Sequence, residues 1–372
     1  VPEDDRADRE GVGTRSEWEA AFAVLAPVID LVTPMAVRVA ASLRLADLMT
    51  EGPVPVAELA RRSGTDADAL GRLLRHLVCK GIFTEPEHGA FAVNEPAALL
   101  AASHPSGMRR RLDLDGFGGR MDLAFTGLAY TVRTGEPAWE TVFGIPLWRY
   151  LAENEEIGES FDAMMASGDD YVADAVRGYD WSSVRHVVDV GGGTGAFLAG
   201  VLGTDPGMRG TLVDLPETVD RARRHLADKG LERRCAVVAG SFFDPLPPGG
   251  DVYVLRRVVH DWGDEDAVRI LRRCAEAATR GRTIGSDGKS GRVLVIETPS
   301  GSAGNPATLA EMDLRMLVFC GGRERATDGD DPADPGDYAP IIARAGLDLT
   351  GVHRTPLGHV VLDCVPGAGT GS

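Results

Sequence analysis

Residues Asp189-Val-Gly-Gly-Gly-Thr-Gly-Ala-Phe-Leu-Ala-Gly200 (DVGGGTGAFLAG) follow the run Val184-Arg-His-Val-Val188 and decide how the chain is read. The apolar run predicts a strand, the glycines a tight turn, and the last residues the start of a helix. Glycine at such a turn permits positive φ and lets the backbone approach a ligand. Two ligands suit the pattern. Gly191, Gly193 and Ala196 complete the G-x-G-x-x-A of a dinucleotide-binding turn, which predicts hydride transfer. The same residues make a D-x-G-x-G-x-G loop of the kind that holds S-adenosylmethionine, which predicts methyl transfer. The loop alone leaves both open.

Around it, HVVDV, GTLVD, CAVVAG, DVYVLRRVV and RVLVIE are short β-rich runs. Helical stretches such as PETVDRARRHLADKG and DEDAVRILRRCAEAA separate them. That alternation predicts a parallel sheet with crossover helices, a doubly wound, Rossmann-like α/β domain. Ligands bind such sheets off the carboxyl ends of the strands. Asp214 ends the second strand about twenty residues past the turn, where an acid bonds ribose hydroxyls in either kind of site. At the third strand end, Ser241 and Phe242 suit the edge and face of an adenine ring. In the fourth, alternation places Val252, Val254, Arg256, Val258 and His260 on one side. An arginine inside a strand needs a ligand, a carboxylate or solvent. Asp264 is expected to cap the next helix, the fifth strand ends at Glu297, and the later loop FCGGRERA offers Glu324.

Ahead of this domain the pattern is helical. Thr33 and Pro34 predict an N-cap followed by proline at the first helical position. VPVAELARRSG reads as a short helix stopped by Gly64. TDADALGRLLRHLVCKG reads as a helix with Thr65 and Asp68 as capping box, Leu70, Leu73, Leu74 and Leu77 on one face, and Gly81 as the stop. IFTEPEHGAFAVN then predicts a two-stranded wing. A winged helix raises DNA reading, but residues 35–80 carry seven Arg/Lys against five Asp/Glu, and Asp66 and Asp68 open the second helix. A packing or dimerisation module is the expected role. The aromatics of 110–180 are expected mainly as core, some lining a pocket for a flat substrate.

At 372 residues the chain is long for one core, so two domains are expected. The net charge of −17 argues against general affinity for nucleic acid or an anionic membrane. Apolar runs such as FAVLAPVIDLV read as too short to span a bilayer, and no signal peptide is visible. Five scattered cysteines without a C-x-x-C pair predict neither zinc site nor disulfide framework, and fit a reducing bacterial cytoplasm.

In this order, the winged module, VVDVGGGTG, LVDLPE, GSFFDPLP, VVHDWGDEDAVRIL and MDLRMLVFCGGRER resemble the S-adenosylmethionine-dependent small-molecule O-methyltransferases. That family includes plant phenolic and bacterial polyketide enzymes. TVRTGEPAW, SFDAMMASGDD and YDWSSVRHVVDVGGG are most similar to the subgroup acting on anthracycline and other anthraquinone-type aromatic polyketides. The likeness runs from about residue 18 to 364. It implies that Gly191, Gly192, Gly193 and Gly195 hold the methionine part of the cofactor, and Asp214 with Leu215 the ribose. Ser241 and Phe242 would flank the adenine, with Ser241 departing from the family's usual aspartate. Arg256 stands where relatives carry a small residue or lysine near the cofactor. His260 would be the base, steered by Glu297 and Glu324. Met164, Met165, Trp262, Met312 and Met316 would face the acceptor.

The chemistry of the three site residues agrees with that assignment. A phenol with pKa near ~10 is mostly protonated at neutral pH, so a histidine base helps, and a carboxylate beside it fixes the tautomer. The implied product is S-adenosylhomocysteine, the partner a second copy bound through the N-terminal helices, with no metal, nucleic acid or membrane. Relatives that hydroxylate or decarboxylate with the same cofactor are the alternative; a winged-helix ligand-sensing regulator is a further one. The expected segments are an acidic tail 1–17, a helical dimerisation domain 18–109, a pocket-lining segment 110–180 and a methyltransferase domain 181–366. The longer stretches 280–291 and 326–338 are expected as surface loops.

Overall fold

The structure, a computed structural model, describes residues 15–165, 169–280, 290–298, 306–327, 331 and 333–367. The segments 1–14 and 281–289, expected as tail and loop, lie outside the described residues, as do 328–330 and 332 of the later loop. The chain divides into two compact units, Val1–Gly119 and Arg120–Ser372.

In the first unit, helices α1 (Arg15–Ile29) and α2 (Val32–Ser42) are separated at Asp30. The Asp30 carboxylate accepts the N–H groups of Val32 at 2.8 Å and Thr33 at 3.3 Å. The helix therefore starts before the expected Thr33 cap, and the Thr33 hydroxyl meets His76 Nε2 at 3.0 Å instead. Helix α3 (Val56–Ser63) ends at Gly64, whose φ of 68° relieves the C-terminus. Helix α4 (Ala67–Cys79) is capped by Asp66, which accepts the Ala69 N–H at 2.9 Å, and not by the expected Thr65. Asp66 holds an extended backbone, which sets its carboxylate over the free amides of the first turn. Leu70, Leu74 and Leu77 are buried with Leu45, Leu59, Phe83 and Phe91. The wing gains a third strand, Val54–Pro55, paired to Ala90–Ala92, which also pairs Thr84–Glu87.

Trp18, Phe22, Val28, Ile29 and Val32 are exposed, Trp18 by 59%. Trp18–Ser42 is long and apolar enough to cross a membrane by length and composition. This corrects the expectation that the apolar runs are too short: α1 and α2 add across Asp30.

The second unit is built on seven strands: β1 (His186–Val190), β2 (Arg209–Asp214), β3 (Cys235–Ala239), β4 (Val252–Arg256), β5 (Arg292–Glu297), β6 (Leu347–Arg354) and β7 (Val360–Pro366). Their order is β3-β2-β1-β4-β5-β7-β6. The first five run parallel, and β7 is antiparallel to both neighbours. A dinucleotide-binding sheet continues in parallel past the fifth strand, without such an insertion. The topology thus leans away from the hydride-transfer reading of the glycine turn.

Among the helices of this unit are α5 (Glu155–Met165), α6 (Asp169–Arg177), α7 (Ala196–Leu202), α8 (Pro216–Asp228), α9 (Asp264–Arg280), α10 (Pro306–Cys320) and α11 (Tyr338–Arg344). Alternation in β4 sends Val252 and Val254 into a core shared with α6, α7 and α8, and Tyr253 and Leu255 into one shared with α9 and α11. Strand β4 is shorter than the apolar run suggests. It stops at Arg256, Arg257 turns left-handed at φ 54°, and Val259–Asp261 make a single 3-10 turn. His260 therefore sits on that turn, outside the strand alternation that was expected to carry it.

Candidate active site

The glycine turn is held from the next strand. Gly191, Gly193 and Gly195 have φ of 73°, 58° and 80°, values that L side chains adopt only under strain. The Gly191 N–H donates to Val213 O at 2.8 Å, and the Gly193 N–H to Asp214 Oδ2 at 2.7 Å. The other Asp214 oxygen accepts the Leu215 N–H at 2.7 Å, where Leu215 caps α8. Burial pushes the Asp214 carboxyl up, against these donors. At Gly191 a Cβ would stand 2.9 Å from Val258 Cγ2 and 3.5 Å from the Phe242 ring. The wall of the turn is thus apolar and aromatic. Ser241 turns its hydroxyl to the Phe243 N–H at 3.2 Å, shaping the local bend.

Two buried polar atoms near the turn have no hydrogen-bond partner, Asp189 Oδ2 and Arg256 Nε. Burial raises the Asp189 carboxyl to about 7, with the Arg256 charge opposing. Arg256 reaches over the Phe197 ring, 5.6 Å from its centroid, and burial lowers its pKa despite Asp189 and Glu297. Arg256 therefore answers the strand-arginine question with a carboxylate environment and a donor still unused.

His260 gathers carboxylates from three places. Its Nδ1–H donates to Glu324 Oε1 at 3.2 Å, and Glu297 Oε2 lies 4.0 Å from the same nitrogen. Asp261 Oδ1 stands 3.4 Å from Nε2. The ring and two of the carboxylates are enclosed, His260 at 8% exposed, Glu324 at 8% and Glu297 at 2%, while Asp261 is half-buried. Burial alone would lower the histidine pKa, but Asp261, Glu297 and Glu324 outweigh it and raise it to about 9. Glu297 is fixed by accepting the Val259 N–H at 3.0 Å, and burial raises its pKa. Helix α10 anchors the Glu324 loop, because Asp313 accepts the Glu324 N–H at 3.0 Å and Met316 O accepts the Gly322 N–H at 3.1 Å.

Residues 125–346 match an O-methyltransferase domain, and residues 28–103 an O-methyltransferase dimerisation domain. The chain belongs to the O-methyltransferase family. It is similar to the 2,7-dihydroxy-5-methyl-1-naphthoate 7-O-methyltransferase of Streptomyces carzinostaticus, 43% identical over 92% of this chain and 96% of the relative. It is also similar to an aclacinomycin 10-hydroxylase of Streptomyces purpurascens, 44% identical over 86% of this chain and 82% of the relative. Among solved structures, an O-methyltransferase of neocarzinostatin biosynthesis, in complex with S-adenosylmethionine and 2-hydroxy-5-methyl naphthoic acid, superposes with a TM-score of 0.80. It is 41% identical, over 92% of this chain and 98% of that one.

The other expected residues of this O-methyltransferase are distributed over three elements. Met312 and Met316 are half-buried one turn apart on α10, the helix that anchors the Glu324 loop. Met164 is buried and Met165 half-buried on α5, which Arg221 of α8 ties down through an ion pair with Asp162. Trp262 instead packs edge-on to Phe242 at 5.7 Å and Phe243 at 4.9 Å, on the side expected for the adenine. Of the aromatics of 110–180, expected mainly as core, Phe117 and Trp139 are buried, Tyr130 and Tyr171 are exposed and the others half-buried; Trp139 contacts Phe143, Tyr150 and the α10 residue Phe319.

The roles of four residues escaped the sequence reading. Asp189, a charge closing an apolar strand, was visible as an anomaly. Asp261 stood beside His260 but carried no spacing signal. Asp264, expected as a helix cap, pairs with Arg325 at 2.7 Å and Arg323 at 3.3 Å, and nothing in the chain marked Arg325 as buried.

Proposed function

We propose that this enzyme transfers a methyl group from S-adenosylmethionine to a phenolic hydroxyl of a polycyclic aromatic polyketide. The observation that carries the reading is the His260 group: Nδ1 is fixed by Glu324, and Nε2, with Asp261 Oδ1 3.4 Å away, would meet the acceptor. The residues fit the cofactor. Gly191 leaves a cradle that a Cβ would fill, beside the Phe242 ring, and Asp189 and Arg256 hold an unused buried acceptor and donor. Gly191, Gly192, Gly193 and Gly195 with Arg256 would hold the amino-acid end, Asp214 and Leu215 the ribose, and Ser241 and Phe242 the adenine. Bound there, the cofactor supplies an electrophilic methyl on a sulfonium, open to in-line displacement by oxygen.

The chain's own part is to deliver the oxygen as a nucleophile. In neutral His260, the Nδ1–H bond to Glu324 leaves Nε2 as the proton acceptor. With its pKa raised to about 9, the ring is close in basicity to a phenol near ~10, so the proton passes with little penalty. Glu297 and Glu324 stabilise the imidazolium that forms. Holding both reactants in one enclosed site contributes separately. Met312 and Met316, and more distantly Met164 and Met165, give the acceptor an adaptable apolar wall.

The apolar faces of α1 and α2 would be covered by a second copy, making a homodimer of a cytoplasmic bacterial enzyme. The match to a dimerisation domain supports this, as does a groove of about 880 Å³ lined by Ala26, Pro27, Val32 and Val37 beside those faces.

A second reading, cofactor-assisted hydroxylation, is favoured by the aclacinomycin 10-hydroxylase relative. The enclosed His260 base favours methyl transfer over it. Incubating the protein with S-adenosylmethionine and a panel of hydroxylated naphthoates and anthraquinones tests both. A product one methyl heavier supports the first reading, and an oxygen gained under air the second. No change on any phenol overturns both.

A further inference from the structure

We infer that Arg325 is a positioning residue that sets the contact between His260 and Glu324. This rests on the methyl-transfer reading only in that His260 is the base there.

Arg325 is 1% exposed, and one guanidinium serves four acceptors. Nη1 donates to Val259 O at 3.0 Å and Arg323 O at 3.2 Å. Nη2 donates to Trp262 O at 3.1 Å and Asp264 Oδ1 at 2.7 Å. Val259 and Trp262 flank His260 and Asp261, so Arg325 grips the histidine turn at both ends. The same strip of chain touches the turn twice more. The Arg323 N–H donates to His260 O at 2.8 Å, and Glu324 reaches the ring. Gly322 allows this approach, since a Cβ there would come 2.7 Å from the Asp261 carbonyl carbon.

A buried guanidinium is costly unless its donors are matched, so its place here needs a reason beyond filling space. Two carbonyls three residues apart and a carboxylate require a planar fork, which lysine lacks. Arg325 touches neither ring nitrogen. It acts through Glu324, whose backbone lies one residue away. If the fork is lost, loop and turn are joined mainly by the Arg323 amide, and the Glu324 carboxylate is free to drift from Nδ1.

The groups facing His260 define the readout. Asp261 is on its own turn, Glu297 on β5 and Glu324 on the loop. Arg257 acts on Asp261 and Glu297. Tyr338 of α11 and Cys320 of α10 adjoin these carboxylates, and burial keeps both protonated.

The experiment uses Arg325→Lys in the full-length protein, with the His260 titration followed by histidine-labelled NMR. The expected result is a fall in kcat of roughly 10- to 100-fold, with acceptor KM and S-adenosylhomocysteine Kd within about twofold. The His260 midpoint should move down toward its ordinary value. A wild-type kcat with an unmoved midpoint overturns the proposal. So does a loss of activity accompanied by a lower Tm but an unmoved midpoint, which is the signature of a structural role alone. If Arg325→Lys does not fold, Asp264→Asn loosens the fork from its outer side. A downward shift supports the proposal, and an unmoved midpoint overturns it. The titration needs no turnover, so an enzyme that methylates no phenol overturns the proposed function and leaves this test intact.

Discussion

The Gly193 amide donates to the Asp214 carboxylate at 2.7 Å, which ties the turn ending β1 to the last residue of β2. The bond fixes the turn and orients the carboxylate, which also takes the Leu215 N–H and the Thr218 hydroxyl and still has a lone pair left for a ribose hydroxyl. Asp214→Asn should therefore weaken S-adenosylhomocysteine binding about 10- to 100-fold, worth about 1.4–2.8 kcal/mol. Calorimetric titration measures this directly, and an unchanged Kd would remove Asp214 from the ribose site.

At Gly191 the constraint is spatial as well as conformational. Alanine there meets φ 73° and the Val258 methyl at 2.9 Å, beside the Phe242 ring. Gly191→Ala should fold but bind S-adenosylhomocysteine at least about tenfold more weakly. Wild-type affinity in this variant would place the cofactor elsewhere.

The base reading fixes the sign of the pH dependence. The three carboxylates raise His260 to about 9, and only the neutral ring accepts a proton. Activity should therefore rise with pH, close to tenfold per unit below the apparent pKa, and level off above it. The midpoint of kcat/KM should lie above the ordinary histidine value of 6.5. Glu324→Gln removes one raising charge and should move that midpoint down. A flat profile through this range would leave positioning as the whole mechanism. His260→Ala should lose activity in kcat with little change in KM.

The N-terminal helices give a prediction about assembly. Phe22→Arg with Val28→Arg puts two charges into the exposed apolar face of α1. Light scattering should then report a monomer, against the dimer proposed for the parent chain. A dimer that survives would move the interface off α1.

Asp174 predicts a loss of stability away from the reaction. It is buried on α6 and accepts from the Thr355 hydroxyl, from His359 Nδ1 at 2.9 Å and from the Leu357 N–H at 3.3 Å. Burial works to raise its pKa, but these donors win and hold it low. The turn between β6 and β7 is thereby clamped to α6. Asp174→Asn should cost about 2–3 kcal/mol and lower Tm by roughly 5–10 °C. An unchanged melting curve would show that the clamp is idle.

The sheet domain was legible because parallel strands announce themselves as short apolar runs with glycine and acid at their ends. Asp214 and Glu297 both emerged as strand termini for that reason. His260 was found by its neighbours in sequence, yet its placement was misread. The apolar run continues past Arg256, while the backbone turns at Arg257, a position where no glycine warns of positive φ. Helix starts were also displaced: Asp30, three residues before Thr33, and Asp66, one after Thr65, took the roles expected of the threonines, since a nearby carboxylate competes for the first amides of the helix. Arg325 was illegible because a buried arginine and a surface arginine look alike until the carbonyls around them are known.

Glu297 has one oxygen on the Val259 amide and the other turned toward His260. Its carboxylate extends the β4–β5 ladder past Arg256, taking the Val259 amide where a strand carbonyl would otherwise stand. Evolution on this scaffold is therefore unevenly constrained. A lineage drifting toward chemistry that needs no base could discard the histidine at little structural cost, but would have to keep the glutamate or rebuild the turn that follows β4. An engineer seeking to switch the reaction should begin at His260 and leave Glu297 alone.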